Sequence, residues 1–372
     1  GLAYYVAGKD DTEPGESRRR LIDKIRVAQS ISGSGKVEIV ANANSCHKGD
    51  RYAVARGKRN QGSRKGHRPK NWEYIRSLYD DGEVNGWPVV QTSIAEADDL
   101  FARYSHTEQV IYTDDKDMRM VPGWHLGWRT NLLFHVPAGT WEATHNDKLY
   151  GRKWFYLQLL HGDSVDDIPG LPYWREFFGN QPPKDKRVGE VTAQKFLSPN
   201  QLVSNEAQAQ AMCRDLYKGY YGERWLVEML EQAVLLWMRN DEGSDPFNCA
   251  APGNPMHTFV RDPIWKEAKA EIQQRISDIE AVRAQIESNR SEDDQGVHAD
   301  PAGEPLRLVP APVPAEPSSS GPRPLDRTDP GSAAQVVQQP AGLSGEGTSP
   351  LRDRKPQRIF AWGVWLSAHS PD

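Results

Sequence analysis

The sequence predicts an α/β protein with a mostly parallel sheet flanked by helices, followed by a helical region and a polar tail. Strand-like and helix-like segments alternate over the first 160 residues, acidic clusters directly follow two of the strands, and composition shifts sharply near Ser291. Taken in order, Leu21, Ile22, Ile25, Val27 and Ala28 form a helical stripe within Arg18–Ser30, and Lys36–Ala41 (KVEIVA) is a short buried-strand pattern. Asn71–Leu78 reads as a helix, Trp87–Thr92 (WPVVQT) as a strand, Asp98–Tyr104 as a helix and Val110–Thr113 (VIYT) as a strand. Strands separated by helices favour a parallel sheet covered on both faces. Ligands of such sheets bind beyond the carboxyl ends of the strands.

Beyond Lys153 the pattern is helical. Tyr221–Arg239 carries Trp225, Met229, Ala233, Leu236 and Trp237 on one face, and Ile264–Ser288 is a charged helix with a thin apolar seam. Ser291–Gln357 is rich in Pro, Ala, Gly and Ser and buries too little to offset its ordering entropy, so disorder is expected. The apolar end, Ile359–Leu366 (IFAWGVWL), is open to three readings: it docks on a partner, docks on the body, or is an accident of the reading frame. The expected divisions are a core over 1–160 with a basic segment at 47–70, a helical region over 161–240, the charged helix over 262–290 and the tail over 291–372.

At 372 residues the chain can bury a sizeable core. Its net charge of −5 conceals nine Lys or Arg against one Asp between His47 and Lys70, which marks a candidate anion-binding segment, although a solvated basic loop has the same composition. Three widely spaced cysteines without a CxxC pair suit free thiols in a reducing interior and exclude a disulfide framework or zinc site. No bilayer-length apolar stretch or signal peptide is seen, so a soluble protein of the bacterial host cytoplasm is expected. Leu2–Ala7 reads as the interior of an element, so further residues are expected before it. No P-loop or Rossmann glycine pattern appears, which argues against nucleotide-driven chemistry. The histidines show no HxxxH or HxE spacing and read as surface or structural groups. Trp72, Trp87, Trp154, Trp225 and Trp237 lie on apolar faces and read as core, whereas Trp174 is the better candidate for stacking on a base.

The chemistry is carried by carboxylates. Glu96, Asp98 and Asp99 follow WPVVQT, Asp115 and Asp117 follow VIYT, and Asp163 and Asp166 open the turn DSVDDIPG. Hydrolysis of a phosphodiester needs an activated water and a stabilised leaving oxygen, which two divalent ions about 4 Å apart supply. Magnesium takes hard oxygen ligands, so scattered carboxylates suit it. Each cluster alone also reads as a solvated loop or a helix N-cap. If seven carboxylates converge, their repulsion calls for cations.

EADD (Glu96–Asp99), TDDKD (Thr113–Asp117) and GDSVDDIPGLP (Gly162–Pro172) resemble the three later acidic motifs of the 5′ to 3′ exonuclease and flap endonuclease family. That family includes phage-type stand-alone enzymes and the nuclease domain of bacterial DNA polymerase I. The resemblance covers about Gly1–Arg239 and implies a PIN-like core followed by a helix-three-turn-helix that grips the DNA backbone. It implies that Glu96, Asp98, Asp99 and Asp115 hold one metal and that Asp117, Asp163 and Asp166 mainly serve a second. The implied cofactors are two Mg2+ or Mn2+ ions, with K+ at the helix-three-turn-helix. The implied partner is DNA at 5′ ends, flaps or duplex, with replication proteins meeting the tail of a monomer. Lys58, Arg59, Arg64 and Lys65 would collect phosphates in the family's arch, while Gly189 and a helix starting at Thr192 would bind phosphate.

Three departures qualify this reading. Tyr173–Lys186 interrupts the helix-three-turn-helix. Gln61 stands where the family's Tyr-Lys-x-x-Arg signature has lysine, although Arg64 fits. Asn42 and Asn44 stand where an early Asp is expected. A catalytically weakened nucleic-acid-binding remnant and a ribonuclease on a related sheet are the alternative functions.

Overall fold

The computed structural model describes residues 1–8, 11–56, 60–61, 68–104, 109–172, 187–239, 246–247, 256–257, 261–296, 358–361 and 364–367. Two compact units result, Gly1–Ala284 with Lys355–Asp372, and Gln285–Arg354.

The first unit is built on an eight-stranded sheet. Its helices begin with α1 (Leu2–Ala7) and α2 (Pro14–Ser32). Pro14 starts α2, where a missing N–H costs nothing, and Gly33 ends it in the left-handed region with its N–H on the Gln29 carbonyl at 2.8 Å. Then follow β1 (Ile39–Asn42), α3 (Arg51–Val54), α4 (Trp72–Asp80), β2 (Glu83–Val84), β3 (Trp87–Thr92), α5 (Ala97–Tyr104), β4 (Gln109–Tyr112), β5 (Gly123–Leu126) and β6 (Leu133–Val136). A separate hairpin of β7 (Ala143–His145) and β8 (Lys148–Tyr150) leads into α6 (Arg152–His161). The helical half comprises α7 (Glu190–Phe196), α8 (Glu206–Tyr221), α9 (Trp225–Leu236) and α10 (Lys266–Gly296), and the described chain ends in β9 (Arg358–Ala361) and β10 (Val364–Ser367).

Strand order is β2-β3-β1-β9-β4-β5-β6, with β10 paired to β9. The interior pairings are parallel and the outermost, β2 with β3 and β5 with β6, are antiparallel. Alternation along the strands divides the core. Ile39, Ala41, Val110 and Tyr112 pack with Leu21, Ile25 and Ile75 of α2 and α4. Val40 and Ile111 pack instead with Phe101, Phe155 and Leu230 of α5, α6 and α9. Period-two side chains with both faces covered are what the βαβ pattern in the sequence required.

Two expectations differ in detail. The helix expected from Tyr221 starts at Trp225, because Gly222 takes a positive φ of 55° and closes α8 with its N–H on Lys218. The charged helix continues to Gly296, past the expected start of the tail at Ser291. Trp265, Ala268, Ile272 and Ile276 join the core, and the Arg275 guanidinium donates to Glu231 at 2.7 Å and to the Val54 carbonyl at 2.9 Å. Of the three readings of the apolar end, docking on the body is the one observed, as β9 and β10. Residues 297–357, including most of the expected tail, lie outside the described residues. Among the described residues no helix is long and apolar enough to cross a membrane, and Cys46 and Cys213 are free thiols.

Candidate metal centre

At the carboxyl edge of the sheet, six of the seven acids line one cleft: Glu96, Asp98, Asp115, Asp117, Asp163 and Asp166. Asn42, Lys48, Arg51 and Gln61 share its wall. The cleft has a volume of about 80 Å3. That leaves room for ions and their waters.

Each acid is aimed by local bonding. Thr113 Oγ1 accepts from Asp115 N at 3.0 Å, and Asp115 Oδ1 accepts from Asp117 N at 3.1 Å. These short-range bonds turn the chain sharply after β4, so Asp115 and Asp117 face one side. The Gln158 amide donates to Asp117 at 2.5 Å from α6. In the acidic turn Asp163 and Ile168 exchange two backbone bonds of 2.8 Å each, and Asp163 Oδ1 accepts from Val165 N at 2.8 Å.

Glycine closes this turn for a steric reason. Gly162 and Gly170 have φ of 72° and 69°, and a Cβ on Gly162 would lie 2.5 Å from Gly170 N. The GD…IPG spacing is therefore a backbone crossing that brings Asp163 and Asp166 back beside Asp117. Oxygens of Asp117, Asp163 and Asp166 fall within 4.8 Å of one another.

Asp99 is the exception among the predicted ligands and does not line the cleft. It completes a capping box at the start of α5, where its carboxylate accepts from Glu96 N at 3.0 Å. Both its oxygens are also held by the Arg51 guanidinium at 2.8 Å, and Oδ1 accepts from Arg239 N at 2.8 Å. Burial alone would raise its pKa, but Arg51 and Arg239 outweigh that and hold it below the ordinary carboxylate value. With its lone pairs committed, Asp99 serves as a structural anion. Asn42 also does structural work, since its side-chain oxygen accepts from Ala97 N at 2.7 Å and caps α5 across the sheet edge.

The remaining acids are electrostatically crowded. Asp98 is pushed well above the carboxylate range by burial, then by Asp115, Glu96 and Asp117. Asp117 is raised likewise by burial and by Asp115, Asp163 and Asp166. Glu96 is raised by burial, with Arg51 opposing. Asp98 Oδ1 is buried without a hydrogen-bond partner among the described residues. Buried, mutually repelling carboxylate oxygens, one of them unsatisfied, form a hard donor set that fits a divalent cation.

Three cations pair with the acids of the cleft, and the sequence did not reveal these partners. Arg51, 2% exposed, bonds Asp99 and reaches Glu96 at 3.2 Å, while its remaining donors meet the Leu235 and Trp237 carbonyls. Lys48 lies 3.6 Å from Glu96 and donates to the Gln61 side chain. Lys116 pairs with Asp163 at 2.6 Å. Sequence reading placed Lys48 and Arg51 only within a basic run, because their partners lie far along the chain.

Of the expected DNA contacts, Lys58, Arg59, Arg64 and Lys65 lie outside the described residues, as does the insertion 173–186 with Trp174. The described part of the basic segment touches the acidic turn, where Gln61 N donates to the Asp166 carbonyl at 3.0 Å. Pro172 and Arg187 form an antiparallel bridge, so the chain resumes beside the point where the insertion leaves it. Gly189 is the N-cap of α7, which begins at Glu190 rather than at Thr192 and so carries an acid in its first turn.

No protein-family model and no curated protein matches the chain. Solved structures similar to it include the T5 D15 protein co-crystallized with metal ions, at 15% identity over 63% of this chain and 96% of that one, with a TM-score of 0.35. T5 5′-exonuclease with bound divalent metal ions (zinc) is similar at 13% identity over 74% of this chain and 96% of that one, with a TM-score of 0.42.

Proposed function

We propose that this protein is a divalent-metal-dependent nuclease of the 5′ to 3′ exonuclease and flap endonuclease type, acting on DNA phosphodiesters. The observation that carries the reading is the convergence of six carboxylates from three distant segments on one small cleft at the carboxyl edge of the sheet. Glu96, Asp98 and Asp115 would hold one Mg2+ or Mn2+ ion, and Asp117, Asp163 and Asp166 a second. Bound there, such ions supply water activation and stabilisation of the leaving oxygen.

The chain's own residues contribute positioning. Gln158 orients Asp117, Arg51 opposes the burial that raises the Glu96 pKa, and Lys48 offers an ammonium where the missing lysine of the Tyr-Lys-x-x-Arg signature would act on a phosphate. Lys58, Arg59, Arg64 and Lys65, with Gly189 and Thr192, are proposed to bind flanking phosphates without reading sequence.

One observation favours a second reading, a weakened enzyme of the same fold. Asn42, at the carboxyl end of β1, offers an amide where an acid would bind metal better, and that amide is spent on capping α5. Replacing Asp115 with Ala and following a labelled 5′ flap, duplex DNA and RNA in Mg2+ or Mn2+ tests both readings. Cleavage of DNA that vanishes in the variant while DNA binding persists supports the nuclease. Unchanged turnover in the variant refutes the assignment, cleavage of RNA alone identifies a ribonuclease, and no cleavage by the parent protein identifies the remnant.

A further inference from the structure

The cations that attend the acidic cleft are not held alike. Arg51 is fixed, its donors spread over both Asp99 oxygens and the Leu235 and Trp237 carbonyls. The Lys48 ammonium stands 3.6 Å from Glu96, donates to Gln61 and lies over the Tyr52 ring. Lys116 has a looser hold. Among the described residues its ammonium makes one ion pair, with Asp163 Oδ1 at 2.6 Å, and its side chain is 32% exposed where that of Asp163 is 1% exposed. Its backbone lies between Asp115 and Asp117, in the turn that aims those two carboxylates. A flexible stem anchored there lets the ammonium reach either Asp163 or the solvent.

We propose that Lys116 is a displaceable counter-ion of the Asp117, Asp163 and Asp166 set, which competes with a divalent ion for Asp163 and so lowers the affinity of that set for metal. The inference rests on the metal-binding part of the proposed function and adds to it a residue that regulates loading. Oxygens of the three acids lie within 4.8 Å of one another, so the ammonium that pairs with Asp163 supplies charge where a divalent ion would supply it.

Geometry forces the competition. Asp163 Oδ1 already accepts from Val165 N at 2.8 Å and from Lys116. An ion must therefore take that oxygen from the ammonium or bind the other oxygen close beside it. Mg2+ sits about 2.1 Å from a carboxylate oxygen. In either position an ammonium that stayed in place would stand within about 6 Å of a doubly charged ion and be repelled by it. Lys116 therefore swings to solvent as the ion enters, and the ion gives up part of its binding energy to break the pair.

Mn2+ binding to the full-length chain, counted from the electron paramagnetic resonance of free Mn2+ at constant ionic strength, tests this without reference to cleavage. Lys116→Met removes the ammonium and keeps most of the stem, and one bound Mn2+ is expected to tighten about tenfold, a change of about 1.4 kcal/mol. Lys116→Arg keeps the charge and is expected to bind Mn2+ as the parent does. In an Asp163→Asn background Lys116→Met is expected to change nothing, because the two effects act through one pair. Thermal unfolding separates competition from a merely structural role. Without Mn2+, Lys116→Met is expected to unfold at a lower temperature than the parent, since it leaves Asp163 buried without its counter-charge, and saturating Mn2+ is expected to erase the difference. Unchanged or weaker Mn2+ binding by Lys116→Met, tightening by Lys116→Arg to the same degree, an equal effect in the Asp163→Asn background, or a lowered Tm that persists in Mn2+ overturns the proposal and leaves the metal centre standing. A parent protein that binds no Mn2+ overturns both.

Discussion

Replacing Asp117 with Asn in metal-free buffer is expected to stabilise the protein, although the residue is one of its proposed metal ligands. The oxygens of Asp117, Asp163 and Asp166 lie within 4.8 Å of one another. Two full charges at that separation repel by about 3.5 kcal/mol at an effective dielectric of about 20. Lys116 already offsets Asp163 at 2.6 Å, so the repulsion left for the substitution to relieve is about 2 kcal/mol. Asn keeps an oxygen to accept from Gln158, which Ala would leave unpaired. The sign with pH follows from the raised folded-state pKa of Asp117. The folded protein binds this proton more readily than the unfolded chain, so the penalty is absent below the unfolded carboxylate value and complete only above the folded one. At pH 8, thermal unfolding without metal is expected about 4 °C higher in the variant. Saturating Mg2+ or Mn2+, at about 100 times its Kd, is expected to stabilise the parent by about 2.7 kcal/mol and the variant by less than half of that. An unchanged or lower Tm in the metal-free variant, or a full metal response, would refute the electrostatic reading of the cleft.

Three further outcomes follow from the geometry. Arg51→Lys loses the two-pronged grip on Asp99 and leaves a buried carboxylate poorly paired, at a cost of about 3 kcal/mol by chemical denaturation; a change below about 1 kcal/mol would mean that water or Arg239 compensates. Gly170→Ala forces a Cβ to within 2.5 Å of the His161 carbonyl carbon and 2.8 Å of the Leu160 carbonyl oxygen at a positive φ. It is expected to lower Tm and weaken metal binding in calorimetry together, and a normal metal affinity would detach the turn from the site. His125 is buried with its pKa lowered to about 4, by burial first and by His145 and His135 next, against a hydrogen bond to the Val121 carbonyl. Because the unfolded chain takes up this proton first, the stability is intact above about pH 6.5 and falls by about 3 kcal/mol as pH drops to about 4. His125→Phe, which can still stack on Phe134, is expected to lose that part of the pH dependence in denaturant titrations, and a slope identical to the parent's would exclude His125 as its source.

The sequence by itself determined what depends on near neighbours. Period-two and helical patterns located β3, α5 and β4 within a residue or two, since alternation along β3 and full burial of β4 leave their marks directly in the chain. The turn from Gly162 to Gly170 was legible for a similar reason: glycine at both ends, with Ile-Pro between, is what a backbone crossing demands. Tertiary structure decided which of two adjacent acids enters the cleft. Asp98 and Asp99 look alike in the sequence, but Arg51, 48 residues from Asp99, and Arg239, 140 residues from it, claim Asp99 for the framework and leave Asp98 unsatisfied. Lys48 and Lys116 acquire their partners in the same way, through contacts that no local spacing encodes. The apolar end shows the largest gap between the two levels. Its apolar character was plain, but a strand's place in a sheet is set by which edges remain open once all the others have paired, and that is a property of the whole fold.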